Sequence, residues 1–190
     1  AVTGGSVVAN LTLNGQTMDA DAGPGFANVL PNNGQVKPLF TAVQKTNGNY
    51  QWHFVLNNTS GTLQYDVISA TTTDAAGSLY VCGYTDGTVN FNPSGTAANY
   101  TTPAGTRSLF FAKYTPIGLL AFVKFIEGSP NQTPTSLLKG IAVDADGNIL
   151  ITGYTLGTVD IDPSGATQNF TSTSEQAFFA KYNSTGNLVF

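Results

Sequence analysis

Short apolar segments separated by turn residues recur along this chain, and they predict β-strands. The clearest set is residues 140–143, 149–155 and 177–182, which are rich in Val, Ile, Tyr, Phe and Thr and are bounded by Gly, Asn, Asp or Pro. A fourth strand is expected to start at Leu188. No window of about a dozen residues keeps the apolar spacing of about 3.6 residues that a helix needs without Gly or Pro. The pattern therefore predicts an all-β protein.

Turn residues divide these strands. Asp146-Gly147-Asn148 stands between the first and second strands, and Asp-Gly between apolar segments is a strong hairpin signal because primed turns need positive φ. Ser184-Thr185-Gly186 separates the third and fourth strands. Residues 156–175 are expected to form a long excursion, with a turn at Asp162-Pro163-Ser164-Gly165.

The same order of segments occurs earlier in the chain with a related sequence. Residues 144–165, DADGNILITGYTLGTVDIDPSG, and residues 74–95, DAAGSLYVCGYTDGTVNFNPSG, are identical at twelve of 22 positions. The segment FFAKY also occurs twice, at residues 110–114 and 178–182. The unit is thus about 70 residues long, and 190 divided by 70 gives about 2.7 repeats. We predict an incomplete, degenerate first repeat at 1–66, a second at 67–136, and a third at 137–190 that stops in its last strand.

This unit resembles the SBBP repeats, a bacterial β-propeller repeat family of secreted and surface proteins. The resemblance rests on Gly153-Tyr154-Thr155, on Gly157 to Gly165, and on the FFAKY segment followed by Gly186-Asn187-Leu188. It implies four-stranded antiparallel blades used as a scaffold, and it carries no catalytic residues to transfer. A closed propeller typically needs four to eight blades. We therefore expect part of a larger or assembled propeller, whose open strand edges pair with other repeats or other chains.

Composition narrows the function further. Charged residues make up 9% of the chain, and eleven acids stand against seven scattered bases, so no basic patch indicates nucleic acid as a partner. No apolar run approaches the roughly 18 residues of a membrane span. A surface rich in hydroxyls and amides is common on extracellular proteins, so we expect an extracellular or cell-surface location. Cys82 is the only cysteine, which excludes an internal disulfide, and we expect it to be a small buried side chain.

One candidate metal site is the DADGN string at residues 144–148. Asp144, Asp146 and Asn148 place oxygen ligands at alternate positions, as in a calcium loop. The bidentate Glu that such loops carry further on is missing, and Ala76 replaces Asp146 in the earlier copy. We therefore favour a hairpin turn, with a bound calcium ion as the alternative.

A second candidate is the pair Asp160 and Asp162, whose side chains would share one face of a strand. A side-chain oxygen is retained at both positions in every copy. The sister residues are Asn90, Asn92, Asp19 and Asp21. We favour side chains that cap a turn, and a weak calcium site is again the alternative.

Aromatic residues in the excursion offer a different chemistry. Tyr100 and Phe170 share a repeat position, and if exposed they could stack on sugar rings. Loop packing is the favoured interpretation. His53 is the only histidine, which removes most support for zinc sites and for Ser-His-Asp arrangements.

These observations lead to one main expectation and two alternatives. We expect a non-enzymatic extracellular structural or adhesion module of a larger secreted or cell-surface protein, with no cofactor other than the calcium ion considered above. The first alternative is a carbohydrate-binding, lectin-like propeller with a glycan as its partner. The second is a fragment of a propeller hydrolase.

Overall fold

The computed structural model describes the backbone of residues 4–12, 18–19, 28–29, 36–44, 50–58, 67–103, 107–128 and 137–190. Side chains are described for residues 52–53 and 55–56 and, from residue 67 onward, for the same ranges. All regular structure in these ranges is β-strand, which confirms the all-β prediction for this part of the chain. None of these residues forms a helix that could cross a membrane.

The strands recur in a fixed order along the chain. The strands before residue 60 are β1 (Gly4–Thr12), β2 (Met18–Asp19), β3 (Asn28–Val29), β4 (Val36–Gln44), β5 (Tyr50–Val55) and β6 (Asn57–Asn58). Those between 67 and 128 are β7 (Val67–Thr73), β8 (Leu79–Thr85), β9 (Thr88–Asn90), β10 (Asn99–Thr101), β11 (Ser108–Tyr114) and β12 (Leu120–Gly128). The remaining strands are β13 (Leu137–Val143), β14 (Ile149–Asp160) and β15 (Asn169–Tyr182).

These strands build three antiparallel arrangements of the same kind. The first sheet has the order β1-β4-β5, the middle sheet β7-β8-β11-β12, and the last sheet β13-β14-β15, with a bridge from Tyr182 to Leu188 where the fourth strand was predicted. A small hairpin lies between the two central strands in the first two arrangements, formed by β2 with β3 and by β9 with β10. The predicted four-stranded antiparallel unit is thus present in the middle sheet.

The middle sheet is buried on both faces because its strands are apolar at consecutive positions. On β8, Leu79 and Val81 pack in a cluster with Leu56, which precedes the middle sheet in the chain. The alternate residues Tyr80 and Cys82 pack in a second cluster with the last sheet. Because successive side chains of a strand point to opposite faces, one strand contributes to two cores. Side chains from the last sheet in the second cluster are Leu138, Ile149, Ile151, Val159, Phe178, Ala180 and Tyr182.

Hydrogen bonds also join neighbouring arrangements at one edge. The end of β12 pairs with the far part of β14, with Glu127 opposite Asp160. The end of the preceding unit does the same, because β6 pairs with β9 and Asn57 stands opposite Asn90. Both members of the second pair lie 70 residues after those of the first. The connection between units is therefore itself repeated.

Glycine is required where two strands approach each other closely. A Cβ on Gly83 would lie 1.9 Å from the carbonyl oxygen of Val67, and one on Gly153 would lie 2.5 Å from that of Leu137. In both places the strand register shifts within the next residues. Glycine permits this approach because it has no side chain. This explains the glycine that precedes Tyr-Thr in both copies.

The predicted Asp-Gly turn is present, and three other hairpins share its geometry. In the turn at 144–148 the amide of Gly147 donates to the carbonyl of Asp144, and the amide of Asp144 donates to the carbonyl of Asn148, both at 3.0 Å. Gly147 has φ of 79°, a left-handed conformation that glycine adopts without strain. The equivalent bonds recur in the turns at 74–78, 115–119 and 183–187.

The excursion predicted at residues 156–175 is largely strand, which corrects that expectation. β14 continues to Asp160 and β15 begins at Asn169, so only a turn at 161–168 separates them. Two pairings hold these extensions: Thr158 and Thr171 share a side-chain hydrogen bond of 2.9 Å, and β12 adds a neighbouring strand. The turn predicted at Asp162 to Gly165 lies inside the remaining loop. β13 also begins three residues before the predicted position, at Leu137.

Candidate functional site

Asp144 organises the turn in which a calcium loop was considered. Its Oδ1 accepts hydrogen bonds from the amides of Asp146 and Asn148, at 3.0 and 2.8 Å. Its Oδ2 accepts a hydrogen bond from Nδ2 of Asn148 at 2.9 Å and forms an ion pair with Nζ of Lys181 at 3.2 Å. The Asn148 hydrogen bonds, with the Lys181 charge, lower the pKa of Asp144 to about 2. The carboxylate is therefore charged and fully used within the fold.

The earlier copy reproduces this arrangement without Asp146. Asp74 Oδ1 accepts hydrogen bonds from the amides of Ala76 and Ser78, and its Oδ2 forms an ion pair with Lys113 at 3.5 Å. Partial burial alone would raise the pKa of Asp74, but the hydrogen bonds from Ser78 and Tyr80 and the Lys113 charge lower it. Since Ala76 supplies only its backbone amide, the turn needs no second carboxylate.

These contacts favour a turn over a calcium loop at residues 144–148. Both oxygens of Asp144 are occupied by protein donors, and Asp146 takes part through its backbone amide. Among the described side chains, no group of three or more His, Cys, Asp or Glu is arranged to hold a metal ion. Calcium binding by Asp144, Asp146 and Asn148 stays a prediction that adding the ion can test.

Asp160 and Asp162 cap the turn between β14 and β15. Oδ1 of Asp160 accepts hydrogen bonds from the amides of Asp162 at 3.0 Å and Gln168 at 2.9 Å. Oδ1 of Asp162 accepts a hydrogen bond from the amide of Ser164 at 2.9 Å. Asn90 does the same in the middle unit, where its Oδ1 accepts from the amides of residues 92 and 98. An amide oxygen therefore replaces the carboxylate, which explains why the repeat keeps an oxygen but not a charge.

A half-open cleft of about 410 Å³ lies where the middle and last sheets meet. It forms because β12 pairs with β14 only at its end, leaving the turn after β14 to stand over β12. Its lining includes Lys124, Phe125, Glu127, Asp160, Asp162 and Pro163. Three carboxylates and one ammonium group thus face a space within the usual size range of small-molecule sites, roughly 300 to 1,000 Å³.

Tyr100 lies beside this cleft, and it is half-buried rather than exposed as sequence reasoning required for sugar stacking. Its ring stacks on Phe125, with centroids 3.4 Å apart and an interplanar angle of 10°. Its hydroxyl forms hydrogen bonds with Ser108 at 2.9 Å and with Oε1 of Glu127. Burial, with the Glu127 contact, raises the pKa of Tyr100. The ring therefore joins the excursion to β12.

Phe170 occupies the equivalent place in the last sheet. It lies on β15 opposite Val159, as Tyr100 lies on β10 opposite Val89. It is also half-buried, with its ring centroid 6.2 Å from that of Phe178. The packing role favoured for both aromatic residues fits these contacts, and glycan binding by Tyr100 and Phe170 stays a prediction.

Sequence reasoning did not single out Glu127, Phe125 or Lys124. Each lies on β12, and it reaches the cleft only because β12 pairs with a strand of the following unit. A signal was present in the repeat period, since Asn57 and Glu127 are 70 residues apart, as are Asn90 and Asp160. That equality would have indicated two matching contacts between units.

Comparison with protein families agrees with this geometry. Residues 138–159 match the SBBP beta-propeller repeat. The matched segment runs from the second residue of β13 to the penultimate residue of β14, and it includes the turn that Asp144 organises. The resemblance to SBBP repeats is thereby confirmed for this segment. A search of curated proteins gives no match to the chain.

Proposed function

We propose that this chain is a non-enzymatic structural or adhesion module of a secreted or cell-surface protein, built from successive propeller blades. The observation that carries the proposal is the face-to-face packing of the middle and last sheets. Phe111 of β11 and Tyr182 of β15 meet there with ring centroids 4.5 Å apart. Each sheet completes the core of its neighbour, which is how repeat proteins gain stability from nearest-neighbour contacts.

The use made of polar groups supports a scaffold. The carboxylates of Asp74 and Asp144 hold turns and pair with Lys113 and Lys181. The buried hydroxyl of Tyr114 donates to the carbonyl of Phe91 at 3.0 Å, and that of Tyr182 donates to the carbonyl of residue 161 at 2.8 Å. These groups sit at matching repeat positions and stabilise the same contacts in both sheets. Their placement serves architecture.

The proposed location can be tested on intact cells that make the full protein. Brief treatment of the cells with a protease, followed by mass spectrometry of the released peptides, should detect peptides from exposed turns such as residues 162–168. A cytoplasmic protein assayed in parallel provides the control for lysis. Release of these peptides only after the cells are broken would contradict a surface or secreted location.

A second candidate function is carbohydrate binding, which the cleft between the two sheets favours. Carboxylates and a lysine beside an aromatic ring can hydrogen-bond sugar hydroxyls while the apolar surface covers a ring face. Glu127 and Asp160 also satisfy protein donors, so they would orient a ligand through their remaining lone pairs. The prediction made for Tyr100 and Phe170 belongs to the same candidate.

A glycan array distinguishes the two functions. A scaffold should show no saturable binding to any glycan. A lectin should show binding that Tyr100→Ala, Phe170→Ala or Asp162→Ala weakens, provided that melting curves show each variant to be folded. Phe179→Ala is the matched control, because Phe179 is an exposed aromatic residue away from the cleft lining.

Calcium binding can be tested in the same material. An ion that binds only the folded state raises the melting temperature according to its concentration relative to its dissociation constant. Calcium should therefore raise the melting temperature if residues 144–148 or the Asp160 and Asp162 turn holds it, and Asp160→Asn with Asp162→Asn should remove the part due to the second turn. An unchanged melting temperature in millimolar calcium would exclude both sites.

A further inference from the structure

The face of the last sheet that points away from the middle sheet carries side chains that are buried in the equivalent place one unit earlier. We call it the outer face. Strand alternation and the pairing of β14 with β15 place these residues on it: Leu150, Thr152, Tyr154, Ala177, Phe179 and Lys181. The matching residues of the middle sheet face the second cluster, and they are Tyr80, Cys82, Tyr84, Leu109, Phe111 and Lys113.

Two cross-strand pairs show the contrast most clearly. Cys82 pairs with Phe111 in the middle sheet, and both side chains are 0% exposed. Thr152 pairs with Phe179 in the last sheet, where Thr152 is exposed and Phe179 is 48% exposed. The strands, register and Phe are the same. What differs is that Phe111 is covered by a following sheet.

A second contact between units shows the same contrast. The ring of Trp52 lies against the turn of the following unit at Gly118, and its Nε1 donates to the carbonyl of Pro116 at 2.9 Å. One unit later, Phe122 lies against the equivalent turn at Gly186. Phe190 stands at the next position of this series and is 59% exposed. Its ring centroid is 5.8 Å from that of Phe179, so the two aromatic residues form one apolar surface.

We propose that the outer face binds a further sheet of the same repeat type, which covers it as the last sheet covers the middle sheet. The inference rests on the proposed scaffold function. The occupant follows from continuity with the existing interface, where Phe111 contacts Tyr182 and the second cluster adds Ile151 and Phe178. The incoming sheet therefore presents an aromatic residue at the Tyr182 position and apolar residues at the Ile151 and Phe178 positions.

The charges at the margin of the outer face agree with this occupant. Lys181 is paired with Asp144, as Lys113 is paired with Asp74 beside the covered face. A Lys at this position is therefore compatible with a covering sheet, because the same ion pair exists where one is already present. An isolated charge on such a face would oppose burial.

The chain offers a matched pair of thiol reporters for a test. Cys82 is buried, and burial raises the pKa of its thiol to about 12, so it should react slowly with a maleimide. Thr152→Cys puts the same residue at the equivalent position of the outer face. Peptide mapping by mass spectrometry then gives the labelling rate at each position in one sample. The thiol at position 152 should react at least about tenfold faster than Cys82.

The covering sheet is then supplied by lengthening the chain after Phe190 with a second copy of residues 123–190. In this lengthened chain, labelling at position 152 should slow by about tenfold or more, approaching the rate of Cys82. A control of equal length carries Ser at the added positions that correspond to Ile151 and Phe178. It should leave position 152 as reactive as in the original chain.

Each outcome has a distinct meaning. Fast labelling of Cys82 in the original chain shows that the middle and last sheets do not stack, which overturns the proposed function and the inference together. Slow labelling of Cys82 with unchanged, fast labelling at position 152 in the lengthened chain overturns only the inference. Protection at position 152 in the original chain, rising with concentration alongside a doubled solution mass, assigns the face to a second copy and also overturns it.

Discussion

The middle and last sheets share strand positions, turns and a Phe-Phe-Ala-Lys-Tyr strand, yet one has two covered faces and the other has one. Phe110 and Phe111 are both buried, whereas of their counterparts Phe178 is buried and Phe179 is 48% exposed. Each sheet therefore encodes its own turns and pairing, while burial of an outward face depends on the neighbour that follows. This is the behaviour expected of stacked repeats.

The largest expected difference between the sheets comes from their equivalent phenylalanines. Phe111→Ala removes a fully buried ring from the second cluster and should lower the free energy of unfolding by about 3–5 kcal/mol. Phe179→Ala truncates a half-exposed ring and should cost about 1 kcal/mol or less. Urea denaturation of the two variants measures the difference. Equal losses would mean that the faces are not distinguished by coverage.

A slightly smaller effect is expected at the glycines where strands approach closely. Gly83→Ala places a methyl group 1.9 Å from a backbone oxygen and should destabilise the fold by about 3 kcal/mol, because the backbone must shift. Gly128→Ala is the control, since the nearest atom to its Cβ is 3.9 Å away. A thermal melt that shows similar losses for the two variants would contradict the tight approach of β7 and β8.

Features inside each sheet should respond alike. Tyr114→Phe and Tyr182→Phe each remove a hydroxyl that donates to a backbone carbonyl, at 3.0 and 2.8 Å. Each variant should lose about 1–2 kcal/mol, because a buried carbonyl loses a partner. The two losses, measured by urea denaturation, should agree within about 0.5 kcal/mol. A loss confined to Tyr114→Phe would show that the last sheet lacks this contact.

The smallest effect concerns acid stability. Folding lowers the pKa of Asp144 from 3.8 to about 2, so this group stabilises the fold above about pH 4 and the contribution disappears as the pH falls towards 2. Asp144→Asn should therefore have a shallower loss of stability between pH 4 and 2 than the unaltered chain, measured by urea midpoints. Parallel curves for the two proteins would contradict the charged interaction with Lys181.

Local signals were sufficient to predict much of this fold. The strands near 149–155 and 177–182 and the Asp-Gly turn follow from apolar segments bounded by turn residues, and the all-β class followed from them. The favoured roles of Asp144, Asp160 and Asp162 in turns were also readable, because Ala76 and Asn90 replace carboxylates without changing the repeat.

Contacts between units were harder to foresee from the sequence. Residues 156–160 contain Gly157 and were assigned to an excursion, but β12 supplies a pairing strand from the unit before. The cleft beside Glu127 arises from the same pairing, so no single stretch of sequence contains it. Exposure was misjudged at Tyr100 for a related reason, because its stacking partner Phe125 lies on β12.

Face-to-face stacking of the middle and last sheets is tested most directly by a double-mutant cycle on Phe111 and Tyr182, whose ring centroids are 4.5 Å apart across the two sheets. The free energies of unfolding of Phe111→Leu, Tyr182→Leu, the double variant and the unaltered chain give the coupling energy. Stacking predicts a coupling of about 0.5–1.5 kcal/mol. Single losses that add to within about 0.3 kcal/mol in the double variant would contradict it.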